Sequence, residues 1–255
     1  MTNKIEGVIL AGGQGTRIYD VSKGAINKPL LKIGGIPIIF HVAARYLVAN
    51  INTINILTGW SAKEFEQRFW DQLSLIRKNN HFNSLLKDAD FKIIDSGDIT
   101  DTFARLRCLN SRKSERFLIT YGDTITDLNI NDAFTKSQKN KFTFQISVTR
   151  PSSPYGVINI SRSGFAKDFS EKRENIPHWV SCGYFIAPSN ICSLYPHAKS
   201  LEFEVLPDLA EKGLLGVYRH RGLWLPIDTK NDFQRVSTLM SQYNIDDIDK
   251  IPPWL

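Results

Sequence analysis

The sequence predicts an α/β fold: a mostly parallel central sheet flanked by helices, with a smaller, partly antiparallel subregion. Three observations carry that expectation. Strand-like and helix-like segments alternate through the first half of the chain, as units of a parallel sheet do. The first apolar run, Glu6–Ala11, is compact and ends in glycine, as a strand buried on both faces should. After about residue 140 the strand-like stretches come at short intervals, with turn residues between them. That texture is more antiparallel.

The elements follow in order. Pro37–Val48 spaces its apolar residues as a helix buried on one side would, and His41 within it reads as a satisfied core residue. Thr53–Thr58 is rich in β-branched residues and stops at Gly59. Ser61–Arg77 places Phe65, Phe69 and Leu73 on a single helical stripe. Phe91–Ile94 and Phe117–Thr120 read as short strands, with a helix over Asn129–Gln138. Phe142–Thr149 alternates its side chains, and Val157–Ile160, Gly164–Ser170 and Val180–Ala187 follow as strands. Two helices (Ser189–Tyr195 and Phe203–Lys212), a strand at Leu215–Arg219 and a helix from about Asn231 complete the chain. No repeat or linker interrupts it. One domain is expected, with halves near residues 1–140 and 141–230 and a C-terminal helix and tail over 231–255.

Composition narrows the classes. A chain of 255 residues, 42% hydrophobic and 23% charged, suits one large globular domain. No apolar run approaches the roughly 20 residues of a membrane span, and the N-terminus lacks a signal-like h-region. A cytoplasmic protein with no membrane partner is the expectation. Cys108, Cys182 and Cys192 form no C-x-x-C pair, so three reduced thiols are expected. The net charge of +6 comes from scattered cations, with only short groupings such as Arg219–His220–Arg221. That distribution disfavours nucleic acid and favours a pocket for phosphates on a small anionic ligand.

The chemistry concentrates where the first strand ends, in Leu10-Ala11-Gly12-Gly13-Gln14-Gly15-Thr16-Arg17. Glycines free the backbone amides and let the chain turn tightly against a phosphate. The spacing fits neither G-x-x-x-x-G-K-[ST] nor G-x-G-x-x-G. Arg17 follows at once, and Asn27-Lys28-Pro29-Leu30-Leu31 comes a short loop later. A fork-shaped cation and a point-charge cation are thus offered to one oxyanion cluster.

These blocks, with Gly34-Gly35-Ile36-Pro37-Ile38, resemble the N-terminal signature of sugar-phosphate nucleotidyltransferases, closest to the glucose-1-phosphate cytidylyltransferases. Further matching stretches run along nearly the whole chain. They are Asp95–Asp98, Thr120–Asp123, Tyr155-Gly156, Glu171-Lys172, Cys182–Phe185, Glu204–Leu206, Trp224–Thr229 and the closing Pro-Pro-Trp-Leu. The resemblance implies a Rossmann-like sheet and a sugar-binding second half. It also implies an activity in which a nucleoside triphosphate, CTP above all, meets a sugar 1-phosphate and yields an NDP-sugar and pyrophosphate. Such products feed surface polysaccharide or deoxysugar biosynthesis. Its implied nucleotide-binding residues are Leu10, Ala11, Gly12, Gly13, Gly15, Thr16, Arg17, Arg105 and Gly122, with Arg17 and Lys28 catalytic. For the sugar phosphate it implies Tyr155, Gly156, Glu171, Lys172 and Gly183. Asp123 and Asp228 are implied to hold one Mg²⁺, which needs one or two carboxylates plus phosphate oxygens. The plain alternative is that each Asp caps a helix. A homo-oligomer is a further implication, since relatives assemble.

The match departs in places that bear on specificity. Thr102-Phe103-Ala104-Arg105 stands where the family has Thr-Gly-Gly-Arg, which is expected to add bulk beside the ligand. Ile26-Asn27 replaces Lys-Pro, Gly59-Trp60-Ser61-Ala62 replaces Gly-Tyr-Lys-Gly, Arg173 follows Glu171-Lys172 where the family has Pro, and Ser181-Cys182 replaces Asn-Gly. Two rivals stay open: a GT-A-type glycosyltransferase and a non-catalytic nucleotide-binding relative. For the first, Asp88-Ala89-Asp90 and Asp247-Ile248-Asp249 read as solvated surface acids rather than a metal-binding Asp-x-Asp.

Overall fold

The computed structural model describes residues 5–15, 18, 27–77, 80–97, 101–109, 114–141, 143–152, 156–171, 178–244 and 250–255. Strands β1 (Ile5–Leu10), β2 (Lys32–Ile33), β3 (Ile36–Pro37), β4 (Thr53–Thr58), β5 (Asp90–Asp95), β6 (Arg116–Tyr121) and β7 (Thr124–Thr126) belong to the first half. The second half adds β8 (Phe144–Thr149), β9 (Val157–Ile160), β10 (Ala166–Ser170), β11 (Val180–Pro188), β12 (Leu215–Arg219) and β13 (Trp224–Pro226). Seven of these form one sheet in the order β12-β8-β11-β6-β1-β4-β5. Only β11 runs against its neighbours; the other pairings are parallel.

The sheet is covered on both sides. Along β1, Ile9 belongs to one core cluster while Val8 and Leu10 belong to the other. That two-sided burial explains why the strand reads as an unbroken apolar run. Helix Ile38–Val48 lies in the first cluster with Phe40 fully buried. Helix Ala62–Ile76 turns Phe65, Phe69 and Leu73 onto it, the stripe that the spacing predicts. Helix Ile130–Lys139 starts where Asn129 accepts from the Asp132 amide.

Several expectations need correcting. The region after residue 140 contributes β8, β11 and β12 to the main sheet, and β8 is buried along its whole length despite its alternating sequence. The β9–β10 hairpin stands apart from it as an antiparallel pair, as do β7–β13 and β2–β3. The helix expected over Ser189–Tyr195 is a single turn, Ile191–Leu194, and the one expected over Phe203–Lys212 is a π-type stretch, Leu201–Val205, that runs into helix Leu206–Glu211. Trp70 is 39% exposed. The fully buried indole is Trp254, which follows the Pro-Pro near the end of the chain.

Trp254 closes the core through His41. Its indole N–H donates to His41 Nδ1 (3.2 Å), while His41 Nε2 lies 3.1 Å from the Ile33 carbonyl. Both contacts suit the neutral ring with its proton on Nε2. Burial dominates and lowers the His41 pKa to about 4 against contacts with the Ile33 and Ile36 carbonyls that raise it. Between pH 6.5 and about 4 the unfolded chain therefore binds a proton that the folded chain refuses. Stability is expected to fall as pH drops through that window, by about 3 kcal/mol. Urea unfolding at pH 7, 5.5 and 4.5 checks this, since a His41→Gln variant should lose less over the same range.

Candidate active site at the carboxyl edge of the sheet

Strands β1 and β6 are parallel neighbours, and both end at one edge of the sheet, the edge where α/β proteins bind ligands. The glycine turn leaves β1 there, and Gly122-Asp123 leaves β6. The Gly122 amide donates to the Leu10 carbonyl (3.0 Å), locking the two exits side by side. Pro29 packs on the open face of Gly122, where a Cβ would stand 3.1 Å from the Pro29 ring. That contact sets the 3₁₀ turn Lys28–Leu30 over the end of β6.

The two carboxylates, remote in sequence, meet through a short ribbon. β7 and β13 pair antiparallel, with Thr124 opposite Pro226, and the Ile227 amide donates to the Asp123 carbonyl (3.0 Å). This places Asp123 and Asp228 at the same end of the ribbon. Lys28 Nζ lies between them, 2.7 Å from Asp123 Oδ2 and 2.9 Å from Asp228 Oδ1. The lysine side chain is 11% exposed and the carboxylates are 28% and 49% exposed, so the cluster is half-open to solvent.

Neither acid caps a helix. Asp123 leads into β7, and the cap of helix Lys230–Met240 is Thr229, in a reciprocal box with Asp232. Two hard oxygen donors that converge on one positive charge beside a polar cavity suit a hard divalent cation. The Lys28 ammonium shows that the arrangement accepts a cation.

A cavity of about 210 Å³ joins these groups; Leu10, Ala11, Gly13, Gly15, Lys28, Pro29, Gly122, Asp123 and Asp228 line it. Gly13 has open space where a Cβ would stand, and Gly15 has φ +63°, a conformation favouring glycine. Gly12 has a different role. Its Cα faces the Arg105 guanidinium, which is buried and donates to the carbonyls of Gly12 (3.1 Å), Thr58 (2.9 Å) and Gly97 (3.2 Å) and to Ser96 Oγ (2.7 Å). Arg105 thus ties the turns after β1, β4 and β5 together from beneath and does not line the cavity. Gly59 abuts the same guanidinium. A Gly12→Ala change would drive a methyl group into it, and a loss of about 3 kcal/mol is expected in urea unfolding.

Two sequence departures serve this scaffold. Asn27 is buried and its Nδ2 donates to the Trp60 carbonyl (3.0 Å), while the Trp60 amide donates to the Gly12 carbonyl (3.3 Å). Phe103 corrects an expectation. It adds no bulk beside the cavity but is fully buried in the second core cluster, edge-on to Tyr195, with its amide donating to the Lys199 carbonyl. The spacing of the loop could not reveal which way that ring turns.

The sugar-side residues are partly assembled. Gly183 has φ +76°, faces the Tyr121 ring and accepts at its carbonyl from Thr120 Oγ1 (2.8 Å), so it borders the exit of β6. Gly156 and Glu171 lie together at the base of the β9–β10 hairpin, where a Cβ on Gly156 would stand 3.0 Å from Glu171 Oε2. Thr16, Arg17, Tyr155 and Lys172 lie outside the described residues. Sequence reasoning did not find Glu202, whose carboxylate accepts from Tyr121 Oη and from Thr102 Oγ1 (2.8 Å) beside Gly183. The neighbouring match at Glu204 was its only signal.

The acids at Asp88 and Asp90 are exposed, and Asp90 opens β5, at the opposite sheet edge from Asp123. Asp247 and Asp249 lie outside the described residues. All three cysteines carry free thiols, and among the described residues no helix is long and apolar enough to cross a membrane.

The α/β sheet thus delivers a glycine turn, a lysine and two convergent acids to one exit, an arrangement suited to a phosphate-bearing ligand. The chain belongs to the nucleotidyl transferase family, whose model matches residues 6–241. It is 30% identical over 242 residues to glucose-1-phosphate cytidylyltransferase of Salmonella typhimurium, covering 89% of this chain and 93% of that one. It is 23% identical to a mannose-1-phosphate guanylyltransferase of Mycobacterium tuberculosis, covering 92% of this chain and 64% of that one. The crystal structure of HddC from Yersinia pseudotuberculosis shares the fold, with a TM-score of 0.69 at 22% identity over 92% of this chain and 99% of that one.

Proposed function

We propose that the chain transfers a cytidylyl group from CTP to a sugar 1-phosphate, glucose 1-phosphate or a related acceptor, giving a CDP-sugar and pyrophosphate. The observation that carries this reading is the bridging of Asp123 and Asp228 by one cation beside the glycine turn. The likeness to a cytidylyltransferase along most of both chains supports the choice of base and acceptor.

In the reaction an oxygen of the acceptor phosphate forms a bond to the α-phosphorus of the triphosphate, and the bond from that phosphorus to the pyrophosphate oxygen breaks. A phosphate monoester has its second pKa near 6, so the nucleophile is ionised at neutral pH and no general base is required. Catalysis then rests on positioning and on charge. Asp123 and Asp228 would hold Mg²⁺, which when bound supplies positive charge to the triphosphate oxygens. Lys28 contributes a second cation at the same oxygens. The open amides around Gly13 and Gly15 receive the phosphate chain, and Arg105 fixes that turn from below. Gly156, Glu171 and Gly183 face the acceptor sugar.

The test is a matrix of CTP, UTP, GTP, ATP and dTTP against several sugar 1-phosphates, scored by pyrophosphate. CTP should give the fastest release. Release of a nucleoside diphosphate without pyrophosphate would mean transfer or hydrolysis of the γ-phosphate, release of a nucleoside diphosphate from an added NDP-sugar would mean glycosyl transfer, and nucleotide binding with no turnover would leave a binding protein.

A further inference from the structure

A second cationic cavity lies at the far end of the β7–β13 ribbon, outside the glycine-turn site. It measures about 530 Å³, and Arg150, Trp179, Arg219, His220 and Arg221 line it. That is ample for a phosphorylated small molecule. The Arg150 guanidinium carbon lies 4.5 Å from the centre of the Trp179 ring, and that of Arg219 lies 5.5 Å from it. Stacking on an indole holds a guanidinium plane in place and leaves its N–H fork directed outward.

The charges there are not balanced from within. Among the described residues, none of the three arginines forms an ion pair with an acid. Asp127, the carboxylate bordering this end of the ribbon, faces His220 instead, with Oδ1 3.2 Å from Nε2. Three arginines with no acid paired to any of them among the described residues repel one another, and a bound oxyanion relieves that repulsion through charge-assisted, two-pronged hydrogen bonds.

Position gives the cavity its meaning. Arg150 follows β8, Arg219 ends β12, and Trp179 precedes the antiparallel β11, so all three stand at the same sheet edge as Asp123. Asp123 and Asp228 flank one end of the β7–β13 ribbon, and Asp127 and Gly222 flank the other. Three paired residues separate the two ends, roughly 10 Å of strand. A sugar with an anionic group at each end is of comparable length.

We propose that Arg150, Arg219 and Arg221, arranged around Trp179, form a second oxyanion site that takes a phosphate group. On the function proposed above, on which this part rests, that phosphate is a second anionic group carried by the acceptor. The same chemistry could come from a free phosphate-bearing effector, and the experiment separates the two.

Inorganic phosphate is titrated calorimetrically into the full chain, into Lys28→Met, and into the double variants Arg219→Ala/Arg221→Ala and Arg219→Lys/Arg221→Lys. Binding should persist in Lys28→Met and weaken at least about tenfold in the alanine pair. The lysine pair should fall between, since it keeps charge but loses the fork. Thermal melts confirm that each variant is folded. Absence of phosphate binding in the wild type, or equal binding in the alanine pair, would overturn the site. This readout needs no turnover, so it stands or falls separately from the proposed reaction.

The source is read from kinetics with glucose 1-phosphate and glucose 1,6-bisphosphate. A phosphate on the acceptor predicts a KM at least about tenfold lower for the bisphosphate, with that advantage lost in the alanine pair. An effector predicts no such advantage, but a change in the glucose 1-phosphate rate on adding phosphate that the alanine pair lacks. If neither pattern appears, the link between this site and the reaction is wrong.

Discussion

Asp123→Asn is expected to lower turnover by on the order of 10²-fold or more, with the melting temperature within about 4 °C of the wild type. The amide keeps the volume of the side chain but removes the charge of one of the two carboxylates around Lys28. Because the residue is half-open to solvent and caps no helix, little of the fold depends on it. Asp90→Asn is the control. That residue is exposed, pairs with Lys92 at 3.1 Å and lies at the opposite sheet edge, so turnover should stay within about twofold. Steady-state pyrophosphate release and a thermal melt on both variants check the pair.

Lys28→Met should act on stability and activity together, and its stability effect should depend on divalent ions. Without the ammonium, two carboxylates are left facing each other at the end of the β7–β13 ribbon. A loss of about 1–2 kcal/mol in chelator-treated protein is expected, the modest size reflecting solvent screening of the half-open acids. Millimolar Mg²⁺ should restore much of that loss in the variant and raise the wild-type midpoint less, because the wild type already carries a cation there. Turnover should remain at least about 10²-fold low even with Mg²⁺, since the phosphates still lack the lysine charge. A variant equally stable with and without Mg²⁺ would count against a shared site.

Several elements were legible in the sequence because their apolar residues form a clean run or period, whether the strand is buried on both faces, as Thr53–Thr58 is, or largely exposed, as Val157–Ile160 is. Thr53–Thr58, Val157–Ile160 and Leu215–Arg219 are strands with the bounds that the apolar runs predict, and helix Ala62–Ile76 buries the expected Phe65-Phe69-Leu73 stripe. What the sequence hid was pairing. Nothing local in Phe144–Thr149 tells a strand of a separate subregion from one buried inside the main sheet, because that depends on β11 and β12 arriving on either side of it. β7 and β13 have only three residues each, too short for a periodic signal, yet they bring Asp123 to Asp228.

The candidate site divides along the same line. Glycines at Gly13 and Gly15 and the lysine at Lys28 could be read from composition and spacing, because open amides and a cation are properties of single residues. Arg105 could be read only as a nucleotide-binding residue implied by the resemblance. Its guanidinium spends its donors on the backbone of three turns, a role set by the arrival of β4 and β5 beside β1. Trp254 was visible only as part of a resemblance. Its burial against His41 depends on a contact between the start of the first core helix and the end of the chain.

The account depends most on the two acids acting as one cation site, and manganese binding measures that directly. Electron paramagnetic resonance titration of Mn²⁺ in the presence of a non-hydrolysable CTP analogue should give one tight site in the wild type. That site should weaken at least about tenfold in Asp123→Asn and again in Asp228→Asn, with the double variant scarcely worse than either single one. Tight manganese binding that survives both single substitutions, or two sites lost independently of each other, would contradict it.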